Sequence, residues 1–332
     1  MDQLLIQEYR GNVLENVHRG YICGVAYDGQ VKYRVGSPEH MTYMRSCAKP
    51  IQALPVVKRN LHKQFGYTDR ETAILAASHM GEVFHVEAVE SILDKLGVSE
   101  DDLVMLPTYP GNTAAREELL RSNMPPRRVY HNCSGKHSGI LTLCKGMDIS
   151  IDEYWEVDHP AQQEIMKHIS LMGDYPKEDI EVGIDGCGVP VFAMPLVSLA
   201  KSYLKLACPE LIEDDEVREA AVEISELMNK YSEMIGGTNT LCSTLLEDDN
   251  IVAKGGAQGV YCFALREERL GFAIKLMDGT SDSWPLIIAS ILEQIDYNRS
   301  ETIDRLYKRF PIDIVNDNRK IVGRKEAVFT LF

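Results

Sequence analysis

Pro50, directly after Ser46-Cys47-Ala48-Lys49, constrains this chain more than any other single residue. A proline donates no N–H and is best tolerated in the first turn of a helix, so the helix carrying Pro50 is expected to begin close to Ser46. Ile51, Leu54 and Val57, with Leu61 beyond, then fall at spacings of three and four, the apolar stripe of a buried helix. Ser46 and Lys49 stand one turn apart on the same helical face. A serine hydroxyl is a poor nucleophile at neutral pH, but an unprotonated amine beside it can take its proton. The pair therefore has the parts of an acyl-transfer device. Alone it is weak evidence, since Ser46 could be a helix N-cap and Lys49 a solvated first-turn lysine.

The rest of the chain reads as strands at both ends around a helical middle. Leu4–Tyr9 is a strand, and Tyr21–Tyr27 with Val31–Val35 form a hairpin around Asp28-Gly29. A small-residue helix is expected over Thr72–Ser78 and an amphipathic one over Val86–Leu96, ended by Gly97. Further helices are expected over Ser138–Lys145, Pro160–Met172, Val197–Leu206, Asp215–Tyr231, Thr240–Leu246 and Trp284–Ile295. Late strands are expected over Gly259–Leu265 and Phe272–Met277, with a closing strand over Ala327–Phe332. The pattern predicts an α/β (α+β) fold: a central, mainly antiparallel sheet, its N- and C-terminal strands adjacent, flanked by helices. No repeat or linker-like stretch divides residues 1–332, which suggests a single two-lobed catalytic domain.

Composition narrows the partners. With 45% hydrophobic residues the chain can build a large core, and a formal charge of −15 disfavours nucleic acid and anionic membranes. Met1-Asp2-Gln3 is followed by only three apolar residues before Gln7 and Glu8, so no export signal is expected, and no uncharged run is long enough for a bilayer. Eight cysteines lack the rhythm of a disulfide scaffold, which favours a reducing cytoplasm.

Three turns carry further chemistry: Ala77-Ser78-His79-Met80-Gly81-Glu82, Asn132-Cys133-Ser134-Gly135-Lys136-His137 and Asp185-Gly186-Cys187-Gly188-Val189-Pro190. Polar groups in turns at element ends are where binding and catalysis concentrate. Ser-x-x-Lys, a second serine at Ser78 and Lys254-Gly255-Gly256, in that order, follow the layout of penicillin-binding-type serine acyl-transferases. Each feature also has an ordinary reading. Ser78 could be a small residue between helices, Lys254 an exposed turn lysine, and Cys133 and Cys187 small buried hydrophobes.

Taken together with Arg45-Ser46-x-x-Lys49-Pro50-x-Gln52-Ala53-Leu54-Pro55 and Ala253-Lys254-Gly255-Gly256-Ala257-x-Gly259, these motifs resemble the rhizobial-type (class 3, asparaginase II-like) L-asparaginases. The resemblance runs from His18-Arg19-Gly20 to the C-terminal region, with departures at Met80, where the family has serine, and Gln258, where it usually has glutamate. It implies a fold similar to serine β-lactamases and glutaminases, a homodimer, and hydrolysis of L-asparagine to L-aspartate and ammonia. It also implies two serine–lysine pairs, Ser46 with Lys49 and Ser78 with Lys254, and a substrate pocket lined by Arg45, His137 and Asp185. Zinc bound near the substrate through Cys133, Lys136 and Cys187 is a further implication. Two thiolates suit zinc; lysine must bind as the neutral amine, and by ligand type His137 is the more orthodox third donor.

In this reading Ser46 attacks the amide carbon and water later breaks the aspartyl ester, with Lys49 as base. Lys49 must lose roughly three pKa units to serve at neutral pH, and burial beside the second cation, Lys254, has the right sign. Side-chain length is worth only ~1–3 kcal/mol per methylene, so a glutaminase or another small-amide hydrolase stays open. The same residues are also compatible with a β-lactam-processing enzyme, a zinc hydrolase using metal-bound water, or a zinc-holding amino-acid-binding protein without turnover.

Overall fold

In the computed structural model, which describes residues 1–332, the two ends of the chain meet in one sheet. The chain forms eleven strands, β1 (Gln3–Arg10), β2 (Val13–Ala26), β3 (Val31–Val35), β4 (Met41–Tyr43), β5 (Glu181–Ile184), β6 (Pro190–Pro195), β7 (Ile251–Gly255), β8 (Val260–Leu265), β9 (Leu270–Leu276), β10 (Asp313–Val315) and β11 (Ile321–Ala327). The main sheet runs β10-β11-β1-β2-β9-β8-β7, with β3 paired to β2; a second sheet is β4-β6-β5. Every strand pair is antiparallel, and β1 meets β11 with Ile6 opposite Ala327 and Arg10 opposite Gly323.

The strands β7, β8 and β9 are almost wholly buried because both faces of the sheet are covered there. Along β8, Cys262 and Ala264 join the larger core with the main helical layer, while Tyr261, Phe263 and Leu265 pack in a second core. That second core is capped by the helix Trp284–Gln294, whose Ile287, Ile288 and Ile291 are fully buried. The alternation follows from the two-residue period of a strand.

Near Ser46 the local structure follows the proline argument. A 3₁₀ turn, Arg45–Ala48, leads into the helix Lys49–Lys58, with Pro50 in its first turn. Every residue from Lys49 to Val57 is buried, so this helix runs through the larger core. Two expectations need correction. The helix before Ser78 is Asp69–Ile74, started by a Thr68–Glu71 capping box, and Ser78 lies beyond it in a loop, its N–H held by the Ile235 carbonyl at 2.9 Å. The closing strand is Ile321–Ala327; after it Val328 still bonds Leu5 and Phe332 bonds Arg34, but no ladder continues. The second sheet, the strand β7 carrying Lys254, and the helices Thr113–Arg121 and Ser300–Arg309 were not foreseen.

Candidate active site

Three segments remote in sequence bring a row of polar groups into the larger core. Lys49 and Lys254 are each 1% exposed, and each points its amine at the Ser78 hydroxyl, at 2.9 Å in both cases. Lys49 also donates to the Asn132 carbonyl at 3.2 Å, and Lys254 to the Gly255 carbonyl at 2.6 Å. Burial pushes the Lys49 amine down to about 8; the nearby Cys133 sulfur opposes this, and the cations Lys254 and Lys136 add to it.

Ser46 is itself buried, and its hydroxyl makes no hydrogen bond within the chain. Lys49, its expected base, is turned toward Ser78 instead. Ser46 and Lys49 nonetheless line one small cavity together with Arg45, Lys136 and Asp185. Arg45 adopts a left-handed conformation, φ 49°, that a non-glycine residue holds only under external constraint. Asp185 supplies one: its Oδ1 accepts from Arg45 Nε at 3.0 Å and from Nη2 at 2.8 Å. The Gly186 N–H, at 2.8 Å, fixes the same oxygen. As it stands, this cavity has room for only about 10 Å³.

The first turn of the helix Ser134–Gly146, with Cys133 just before it, and the turn after β5 bring Cys133, Lys136 and Cys187 together, all buried. The Lys136 amine lies 2.9 Å from the Cys187 sulfur. A hydrogen bond from Cys187, helped by Lys49 and Lys136, holds Cys133 well below the usual thiol range; that bond pushes Cys187 up. Burial pulls Lys136 down, but the two sulfurs outweigh it and its pKa is raised. No three His, Cys, Asp or Glu side chains gather to hold a metal, so a zinc site here must include the lysine. Two sulfurs and a converging amine fit zinc by donor type, provided Lys136 gives up its proton.

His137 does not line the small cavity. It is fully buried, its Nδ1 lies 2.8 Å from the Tyr154 hydroxyl, and its Nε2 has no partner. Burial keeps the ring neutral. His79, His85 and Glu82 act locally: His79 bonds Ser134 and Gly81, His85 bonds the Glu233 carbonyl, and Glu82 accepts from Asn112 and Thr238. Met80 packs against Gly237, where a Cβ would come within 3.0 Å of the Met80 side chain.

Sequence reasoning missed two residues. The Tyr203 hydroxyl donates to the Cys47 carbonyl at 2.8 Å, and the Cys47 thiol to the Lys254 carbonyl at 3.1 Å. Both tie the turn between Ser46 and Lys49 to the strand and helix beside it. Nothing in the sequence signals a contact across such a separation.

An antiparallel sheet between helical layers, with serines and buried lysines where they meet, has the equipment of a hydrolase. Within that class the chain belongs to the L-asparaginase II family, whose profile matches residues 6–327. No curated protein matches the sequence significantly. Among solved structures, a β-lactamase from Mycobacterium bovis is 12% identical with a TM-score of 0.41, covering 83% of this chain and 94% of its own. A class C β-lactamase from Rhodobacter sphaeroides is 14% identical with a TM-score of 0.43, covering 82% and 95%. These likenesses are distant. No helix is long and apolar enough to cross a membrane.

Proposed function

We propose that the protein is an L-asparagine amidohydrolase that works through an acyl-enzyme on Ser46. The observation that carries this reading is the small cavity that gathers Arg45, Ser46, Lys49, Lys136 and Asp185. A free amino acid bears one charge of each sign. In this reading Arg45 would take the α-carboxylate and Asp185 the α-ammonium, so the substrate would part their ion pair and replace each partner's countercharge. A simple amide without those charges has nothing to offer in exchange.

In the reaction, Ser46 Oγ bonds to the side-chain amide carbon while its proton passes to the neutral Lys49 amine. The C–N bond breaks, Lys49 returns that proton to the departing nitrogen, and ammonia leaves. Water then adds to the ester, giving a proton to Lys49, and the Ser46 oxygen is expelled and reprotonated. Lys49 must swing from Ser78 to Ser46 to do this, and Ser78 can then hold the proton balance between the two amines. Zinc bound by Cys133, Lys136 and Cys187 would supply positive charge near the substrate, and plasma-emission metal analysis of the purified protein checks its presence. A cytoplasmic homodimer belongs to the same proposal; sedimentation tests the dimer.

The test is ammonia release from L-asparagine and L-glutamine by the wild type, Ser46→Ala and Ser78→Ala. Asparagine turnover abolished by Ser46→Ala, with an aspartyl adduct on Ser46 in the mass spectrum, supports the reading. A second reading makes Ser78 the nucleophile, favoured by the two amines on its hydroxyl. An adduct on Ser78 would select it.

A further inference from the structure

Ser78 and Lys254 border a second cavity, of about 680 Å³, which the small cavity at Ser46 does not share. Lys49 lines only the small one and Lys254 only the large one, and both amines meet at the Ser78 hydroxyl. The row Lys49–Ser78–Lys254 therefore stands as a polar partition between two spaces. On the far side, the large cavity is bounded by the end of β7, the helix Trp284–Gln294 and the strands β10 and β11, and it reaches solvent past the exposed Ser281, Asp282 and Ile312.

We propose that this second cavity is the solvent port of the serine–lysine relay, through which protons, water and small uncharged molecules reach Lys254 and Ser78 without entering the substrate pocket. The inference deepens the hydrolase reading and rests on it for its purpose. If ammonia departs neutral, amide hydrolysis leaves the enzyme with the proton of the new carboxylic acid. That proton must reach bulk water before Lys49 can act again. With the substrate cavity tightly filled, the route through Ser78 to Lys254 lets the base reset from behind while the product still occupies the front.

The test does not need turnover. Cyanate, as the small neutral isocyanic acid, carbamylates unprotonated amines, and peptide mass spectrometry reports the rate at each lysine. If access were equal, Lys49, with its pKa pushed down to about 8, would react readily. The port predicts the reverse order: Lys254 modified at least ~10-fold faster than Lys49 or Lys136, because of these three buried amines only Lys254 borders the large cavity. Asp282→Trp, a substitution at the exposed rim, should slow Lys254 several-fold and leave exposed lysines such as Lys63 unchanged. Lys49 reacting first, or Lys254 unaffected by the rim tryptophan in a folded variant, overturns the port. In parallel, methylamine should restore part of the asparagine turnover of Lys254→Ala, and lose that effect when Asp282→Trp is added. Silent wild type on asparagine would overturn the hydrolase reading, while the carbamylation order would still decide the port.

Discussion

Lys49 meets a serine hydroxyl and a backbone carbonyl but no carboxylate, so burial decides its protonation. An amine that acts as base works only when neutral. As pH rises through about 8 the neutral form takes over, and kcat/KM for asparagine should climb and then level. Lys254→Met removes a nearby cation that holds the Lys49 amine down, so the same limb should move to higher pH. A rate profile from pH 6 to 10 on both proteins checks both statements; a limb that stays in place excludes the coupling. Arg45→Lys keeps a charge but loses the two-nitrogen grip on Asp185, and should raise KM for asparagine by ~10-fold or more while leaving the Ser46 adduct chemistry in place. At this scale the sequence was legible where a motif carried the residue. Ser46 with Lys49, and Arg45 with His137 and Asp185, were expected from their motifs, and all of these but His137 line one cavity. The direction of the Lys49 side chain was not legible, because it depends on where Ser78 and Asn132 lie.

The helix Ser134–Gly146 fixes the distance between the cysteine pair and the lysine row. It can approach because Gly135 has no side chain: a Cβ there would lie 2.3 Å from the Ile74 carbonyl at the end of the helix Asp69–Ile74. Gly135→Ala must push the two helices apart and should destabilise the fold by ~1–3 kcal/mol in urea denaturation, with a larger fall in turnover than any loss of folded protein explains. Tyr203→Phe removes one buried hydrogen bond to the Cys47 carbonyl and should cost ~1 kcal/mol. If Tyr203 positions the nucleophile turn, kcat falls while KM changes little. Helices with a clear apolar stripe and a marked end, such as Val83–Leu96 before Gly97, φ 62°, were readable to within a few residues. The strands β4, β5 and β6 were not, since three to six residues with two prolines carry too little period to separate strand from loop.

The whole molecule keeps several histidines buried and neutral. Burial holds His79 and His137 well below the ordinary imidazole range and His85 down to about 4. Between about pH 6.5 and 4 the unfolded chain takes up protons that the folded chain refuses, so stability falls as pH falls, by about 1.4 kcal/mol per pH unit for each such histidine. Urea midpoints at pH 7 and pH 5 should differ clearly; equal midpoints would mean that these rings are protonated in the fold. The sequence by itself determined the helix start at Ser46, the strand character of both ends, and the residue types offered to the site, because prolines, glycines and apolar periods act within a few residues. The tertiary structure alone decided the register in which β1 meets β11, that the Lys49 amine turns to Ser78 and not to Ser46, and that a second cavity opens behind Ser78. Those outcomes depend on burial and on approaches between segments far apart in the chain, and a local pattern carries no information about them.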